Sequence, residues 1–145
     1  EQAQVGENVV IIGGGPLGAE EGLVFSGQGK HVTVVEMRDR LCLGAPYLHH
    51  TAVNKEYQKP GAPTALLNSK CLAITREGVL VEDLEGKQQL YPADTVILAI
   101  GMRADEDQVE AFRDCAMEFR KIGDCNRPAT MTEAVRLGYD VAFGL

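Results

Sequence analysis

Several features that would have pointed to another kind of protein are missing from these 145 residues. No apolar run approaches the length of a membrane span; the longest, such as Thr95 to Ile100, are strand-sized. The opening EQAQVGEN has neither a basic n-region nor an apolar h-region, so no secretory signal is expected. A first residue of Glu rather than Met suggests an excised or processed piece of a longer chain. Positive charge is short: 14 Lys and Arg stand against 21 Asp and Glu, a formal net charge of −7, with a pI near 4.9. That balance argues against nucleic acid as a partner, because phosphate binding needs clustered cations. An ordinary acidic cytosolic surface accounts for it. The four cysteines, Cys42, Cys71, Cys115 and Cys125, form no CxxC pair. No zinc or thioredoxin-type motif follows from them, and free thiols in a cytoplasmic protein are expected. His49 and His50 have no third ligand at metal spacing, and no Ser–His–Asp set is legible. No metal ligand and no catalytic side chain is assigned. Internal repeats and low-complexity segments are absent too.

What is present begins at Asn8. The run NVVIIGGGPLG is an apolar strand that feeds directly into Gly13-x-Gly15-x-x-Gly18 and a helix, and Glu36 closes the following apolar run HVTVVE. Strand, glycine turn, helix, second strand and an acid roughly 20 residues on make up a dinucleotide site. Gly13 permits the sharp turn out of the strand. Gly15 lets a pyrophosphate approach the main chain, and Gly18 lets the helix pack closely on the sheet. Free N–H groups at the helix start then face the phosphates, aided by the helix dipole. With 45% hydrophobic and 24% charged residues, the chain is long enough for one globular core.

The order of elements follows from periodicity and turn residues. Strands are expected at Asn8–Ile12, His31–Glu36 and Pro63–Leu67, with helices at Pro16–Gln28 and Pro46–Tyr57. This βαβαβ half implies a parallel sheet. Cys71–Thr75, Val79–Glu82 and Gln88–Tyr91, joined at Glu77-Gly78 and Glu85-Gly86, read as an antiparallel meander of three strands. Asp94–Ile100 reads as a fully apolar, buried parallel strand ending in Gly101. Met102–Asp114 is expected as a charged loop with a weak helix, Glu118–Ile122 as a last strand, and Thr130–Phe143 as a helix capped by Thr130 or Thr132.

Taken together, VVIIGGGPLGAEEG, KHVTVVEMRDRL, LVEDLEGKQQLYPADTVILAIGMR and KIGDC resemble the nicotinamide-binding domain of two-dinucleotide flavoprotein reductases. The glutathione reductase and thioredoxin reductase superfamily shares that domain. The details are most similar to the carboxy-terminal part of old yellow enzyme-like NADH:flavin oxidoreductases, the 2,4-dienoyl-CoA and enoate reductases. The implied fold is α/β, a Rossmann-like parallel sheet with helices on both faces and an inserted three-stranded antiparallel meander. Residues 1–115 would form the NAD(H)-binding domain, and 116–145 a strand and helix of a split FAD-binding domain.

The resemblance also assigns cofactor contacts. Gly13, Gly14, Gly15, Pro16, Leu17 and Gly18 match the pyrophosphate turn. Pro16 is a departure, since GGGP is commoner in the FAD-binding motif of these proteins. Glu20 matches an acid near the nicotinamide carboxamide, with an exposed helix glutamate as the alternative. Glu36 matches the acid that accepts from the adenosine ribose hydroxyls; a carboxylate there repels the extra phosphate of NADP, so NADH is expected. Met37 and Arg38 follow it at the same edge. Arg38 is a counter-signal toward NADP unless it is simply a solvated arginine. Gly101 would end the strand beside the dinucleotide, and Ala104 replaces the proline that many relatives carry after GxR. Gly123 and Asp124 match the GD motif whose aspartate holds the FAD ribitol, with a plain turn aspartate as the alternative. Thr130, Met131 and Thr132 open the helix that would face the flavin. The implied chemistry passes hydride from NADH to FAD, then through a 4Fe-4S cluster and FMN to an activated carbon–carbon double bond. The last two centres would lie in an upstream part of the parent chain. Alternatives are a module holding ADP or NAD structurally, without turnover, and a fragment of a disulfide or ferredoxin reductase.

Overall fold

The computed structural model describes residues 4–144. They divide into two compact units, one ending at Ile100 and one beginning at Gly101.

The first unit is built on a parallel sheet. Strand β1 (Asn8–Ile12) pairs in parallel with β2 (His31–Val35) on one side and with β7 (Thr95–Leu98) on the other. Strand β3 (Thr64–Leu66) extends the sheet beyond β2, giving the order β3-β2-β1-β7. Alternation in NVVII and HVTVV decides the two faces. Val9, Ile11, Val32 and Val34 join Ala19 of α1 (Pro16–Gly27) and Val53 of α2 (Tyr47–Glu56) in one buried cluster. On the opposite face, Val10 and Val35 meet Val79 and Val81 of β5 (Gly78–Glu82). That strand is the centre of the antiparallel sheet β4-β5-β6, with β4 at Lys70–Ile74 and β6 at Gln88–Pro92. The expected α/β class with an inserted meander is therefore observed. The second face of the parallel sheet, where a helix was expected, is covered by the meander.

Helix α1 starts where it does because Gly15 adopts an extended conformation and Pro16 sits in the first turn, where its missing N–H costs nothing. The reading of Asp94–Ile100 as a buried strand needs correction. Strand β7 is an edge strand of this sheet, and Leu98 and Ile100 are exposed. Its parallel pairing with β1 is as expected, but an apolar sequence does not itself supply a covering layer.

The second unit holds the short helix α3 (Glu106–Glu110), 3-10 turns at Arg113–Cys115 and Gly123–Cys125, and helix α4 (Met131–Phe143). Thr130 caps α4, accepting from the Glu133 N–H at 3.3 Å, and Gly144 in the left-handed region ends it. The expected strand at Glu118–Ile122 does not form. A strand exists only through its ladder, and these residues pair with no other segment among those described.

Candidate dinucleotide site

All strands of the parallel sheet point the same way, so their carboxyl ends share one edge. The chain builds outward from β1 through β2 to β3, then returns to the other side of β1 as β7. That reversal makes the carboxyl ends of β1 and β7 a topological switch point, the usual position for a nucleotide in an open parallel sheet. The ladder continues slightly past the strands: the Gly13 N–H donates to the Val35 carbonyl at 2.9 Å, and the Ala99 N–H to the Ile12 carbonyl at 2.8 Å. The glycine turn, Glu36 and the end of β7 are thereby set on the same edge.

The glycines of the turn differ in what requires them. Gly13 has φ +106°, and a Cβ there would run into the carbonyl oxygen of Ala99. A Cβ at Gly18 would meet the carbonyl of Gly13, and at Gly14 it would lie 2.6 Å from Leu41 Cδ2 and 2.8 Å from Glu36 Cβ. Protein packing accounts for all three. Gly15 is different: φ is −61°, ψ is −179°, and nothing lies within 4 Å of an added Cβ. Neither its conformation nor its neighbours demand glycine. The space above it opens beside a helix start that no side chain caps, where unshared N–H groups and the helix dipole favour an anion.

Glu36 is drawn into this turn. Its Oε2 accepts from the Gly14 N–H at 2.7 Å and its Oε1 from the Arg38 N–H at 2.8 Å. The Gly14 carbonyl accepts in turn from the Cys42 N–H at 2.7 Å. The side chains of Leu17 and Met37 are exposed at this edge, and Arg38 is exposed too. Glu20, on α1, has its Oε1 2.7 Å from His49 Nε2, an ion-pair approach not aligned as a hydrogen bond.

Three supporting residues escape a reading of the sequence. Cys42 is buried with φ +55°, an unusual conformation for a residue other than glycine, and holds the underside of the turn. Burial, and then the Glu20 carboxylate, push its thiol above the usual range. Leu41 packs under Gly14. Tyr57 donates its hydroxyl to the Ala19 carbonyl at 2.9 Å, and a Cβ at Gly22 would lie 2.6 Å from that hydroxyl oxygen. Burial, with Cys42 beside it, pushes the Tyr57 phenol up. A glycine inside helix α1 is the one sequence signal that such a close partner exists. Nothing in the sequence marks Cys42.

The remaining candidates lie in the second unit. Gly101 has φ +96° with open space around it, and Gly123 has φ +62°. Asp124 sits in the 3-10 turn and its Oδ1 accepts from the Ala129 N–H at 3.3 Å. Thr130, Met131 and Thr132 form the start of α4.

A family model described as pyridine nucleotide-disulphide oxidoreductase matches residues 1–125. The bilirubin reductase of Mediterraneibacter gnavus is 36% identical over 132 residues, covering 90% of this chain and 20% of that protein. The cinnamate reductase of Clostridium sporogenes is 34% identical over 147 aligned residues, covering 98% of this chain and 22% of its own length. A solved 2-naphthoyl-CoA reductase, in complex with 2-naphthoyl-CoA, superimposes with a TM-score of 0.82 at 28% identity, over 99% of this chain and 22% of that one. The chain thus spans about a fifth of the length of the curated relatives it matches. No helix among the described residues is long and apolar enough to cross a membrane. Because the match runs through the glycine turn, the acid and the meander alike, the chain belongs to the pyridine nucleotide-disulphide oxidoreductase family.

Proposed function

We propose that this chain is the NADH-binding part of a larger flavin-dependent oxidoreductase, and that it presents the nicotinamide to FAD. The observation that carries this reading is Gly15. Among the glycines of the turn it alone has no partner inside the protein, and the space it leaves open lies at an uncapped helix start. A pyrophosphate accounts for both. The Gly13–Gly18 turn would hold it through main-chain N–H groups, with Pro16 and Leu17 at its rim. Glu36 would accept from the ribose hydroxyls through lone pairs that its two main-chain bonds leave free. It would also repel a 2′-phosphate, and Met37 and Arg38 would flank it. Glu20 would approach the carboxamide, with His49 beside it. The bound dinucleotide supplies the hydride; this chain's residues position it.

In this reading residues 1–115 serve NAD(H), with Gly101 ending the strand beside the dinucleotide, and 116–145 belong to a split FAD site with Gly123, Asp124 and the start of α4 as its contacts. An exposed apolar stripe on α4 supports a covering partner there. The residues present do not fit an iron–sulfur cluster, and none of them is assigned to FMN. The four cysteines are free, and no group of His, Cys, Asp and Glu among the described residues could hold a metal ion. Those centres, and reduction of an enoate or dienoyl-CoA double bond, would belong to the rest of the parent chain. The names of the cinnamate and naphthoyl-CoA reductases support that destination for the electrons. Free thiols agree with a cytoplasmic setting.

Calorimetric titration tests the reading. NADH should bind more tightly than NADPH, and Gly15→Ala should bind neither while melting like the parent. Tighter NADPH binding would overturn the assignment of Glu36. A parent chain that binds no dinucleotide would favour a vestigial or incomplete site.

A further inference from the structure

Glu36 spends both carboxylate oxygens on main-chain N–H groups from two different segments. Oε2 takes the Gly14 N–H at 2.7 Å, and Oε1 takes the Arg38 N–H at 2.8 Å. Gly14 is the central residue of the glycine turn, and its carbonyl is held from below by Cys42 at 2.7 Å. The Gly14 residue is therefore gripped at its N–H and at its carbonyl. The main chain of Glu36 is itself fixed: its N–H donates to the Leu66 carbonyl at 2.8 Å, and its carbonyl accepts from the Ser69 N–H at 2.9 Å. Charge-assisted bonds of this length are the stronger kind, and here they join the end of β2 to the turn that must hold a pyrophosphate.

We infer that Glu36 is a positioning residue for the pyrophosphate turn, in addition to any contact it makes with ribose, so that one side chain couples nucleotide preference to phosphate binding. This rests on the dinucleotide reading above and deepens it. A consequence follows for cofactor choice. Neutralising Glu36 removes the repulsion of a 2′-phosphate and loosens the turn that binds every dinucleotide. Glu36→Ala alone should therefore weaken NADH without a gain for NADPH. Glutamine at this position keeps the shape and one acceptor, but its NH2 group would face an N–H donor, so one of the two bonds is lost.

Two measurements on the whole chain test this. In the first, amide exchange is followed by NMR without ligand. In Glu36→Gln the one of the Gly14 and Arg38 amides that loses its acceptor should exchange faster, on the order of tenfold for the loss of a charged hydrogen bond. Val10 and Val34 in the central strands should keep their rates, which shows the fold intact. Unchanged exchange at both Gly14 and Arg38 overturns the inference. In the second, ADP and its 2′,3′-dideoxy analogue are titrated. A Glu36 that touched only the ribose hydroxyls would leave the analogue's affinity unchanged in Glu36→Gln, and that result also overturns the positioning role. The expected result is a several-fold loss for the analogue, on the order of threefold to tenfold, and a larger loss for ADP. A parent chain that binds neither ligand would sink the dinucleotide reading instead, and the exchange rates would then decide the clamp on their own.

Discussion

The two units of this chain are held together by different physics. In the unit ending at Ile100, Val9, Val10, Ile11 and Val34 of the parallel sheet are all but inaccessible to solvent, with helices on one face and the meander, through its buried Val79, on the other. Beyond Gly101 no described residue is buried. That unit rests on local bonds and surface ion pairs, such as Arg113 and Lys121 on Glu110, or Arg136 on Glu133 and Asp140. The cations around Glu110, Arg113 first and then Lys121, pull its acid down to about 2, yet such exposed pairs contribute little to stability. Along α4, Met131, Val135, Tyr139 and Phe143 recur every fourth residue and are 58–87% exposed. A helical stripe of that spacing is written for a covering surface. The contrast separates a unit with its own buried core from one whose apolar helix face stays exposed.

Truncations in the two units should differ most. Ile11→Ala removes a fully buried side chain from the centre of the sheet and should cost about 2–5 kcal/mol. Urea unfolding would measure it, and a loss under about 1 kcal/mol would show that the core is looser than this packing implies. A smaller effect is expected at Asp94, which ties the start of β7 to β1. Its Oδ2 accepts from the Asn8 N–H at 2.8 Å and from Asn8 Nδ2 at 2.9 Å. These bonds hold its carboxyl below the ordinary 3.8, the main-chain bond counting most. Because the folded value is depressed, the stabilisation is complete above the unfolded value and fades as pH falls through the folded one. The Tm gap between the parent and Asp94→Ala should therefore narrow below about pH 3.8. A gap that stays constant down to low pH would assign the effect to packing. The smallest change is expected at Val135, 73% exposed on α4. Val135→Ala should shift stability by no more than about 0.5 kcal/mol in this chain. A core-sized loss would mean that the helix is already covered in solution, for instance by a second copy.

Much of the site could be read directly from residues. Gly13-x-Gly15-x-x-Gly18 after an apolar strand, with Glu36 closing the next one, predicts the crossing point at β1, because only glycine tolerates the turn at Gly13 and the close packing at Gly18. The meander was equally legible, since short alternating strands broken at Glu77-Gly78 and Glu85-Gly86 have few other solutions. Asp94–Ile100 and Glu118–Ile122 are less legible for a shared reason. Burial and pairing belong to neighbours, and a run of apolar residues does not say whether a layer or a partner strand will meet it.

Local sequence was enough for the βαβ turn, the parallel sheet it implies and the acid at Glu36, because steric limits at glycine and side-chain period act within a few residues. Tertiary structure alone decided that both oxygens of Glu36 close on Gly14 and Arg38, that Cys42 adopts a left-handed conformation beneath the turn, and that Gly15 faces open space while Gly13 and Gly18 face protein. Those outcomes depend on atoms brought together from separate strands and loops, and their distances are properties of the packed fold.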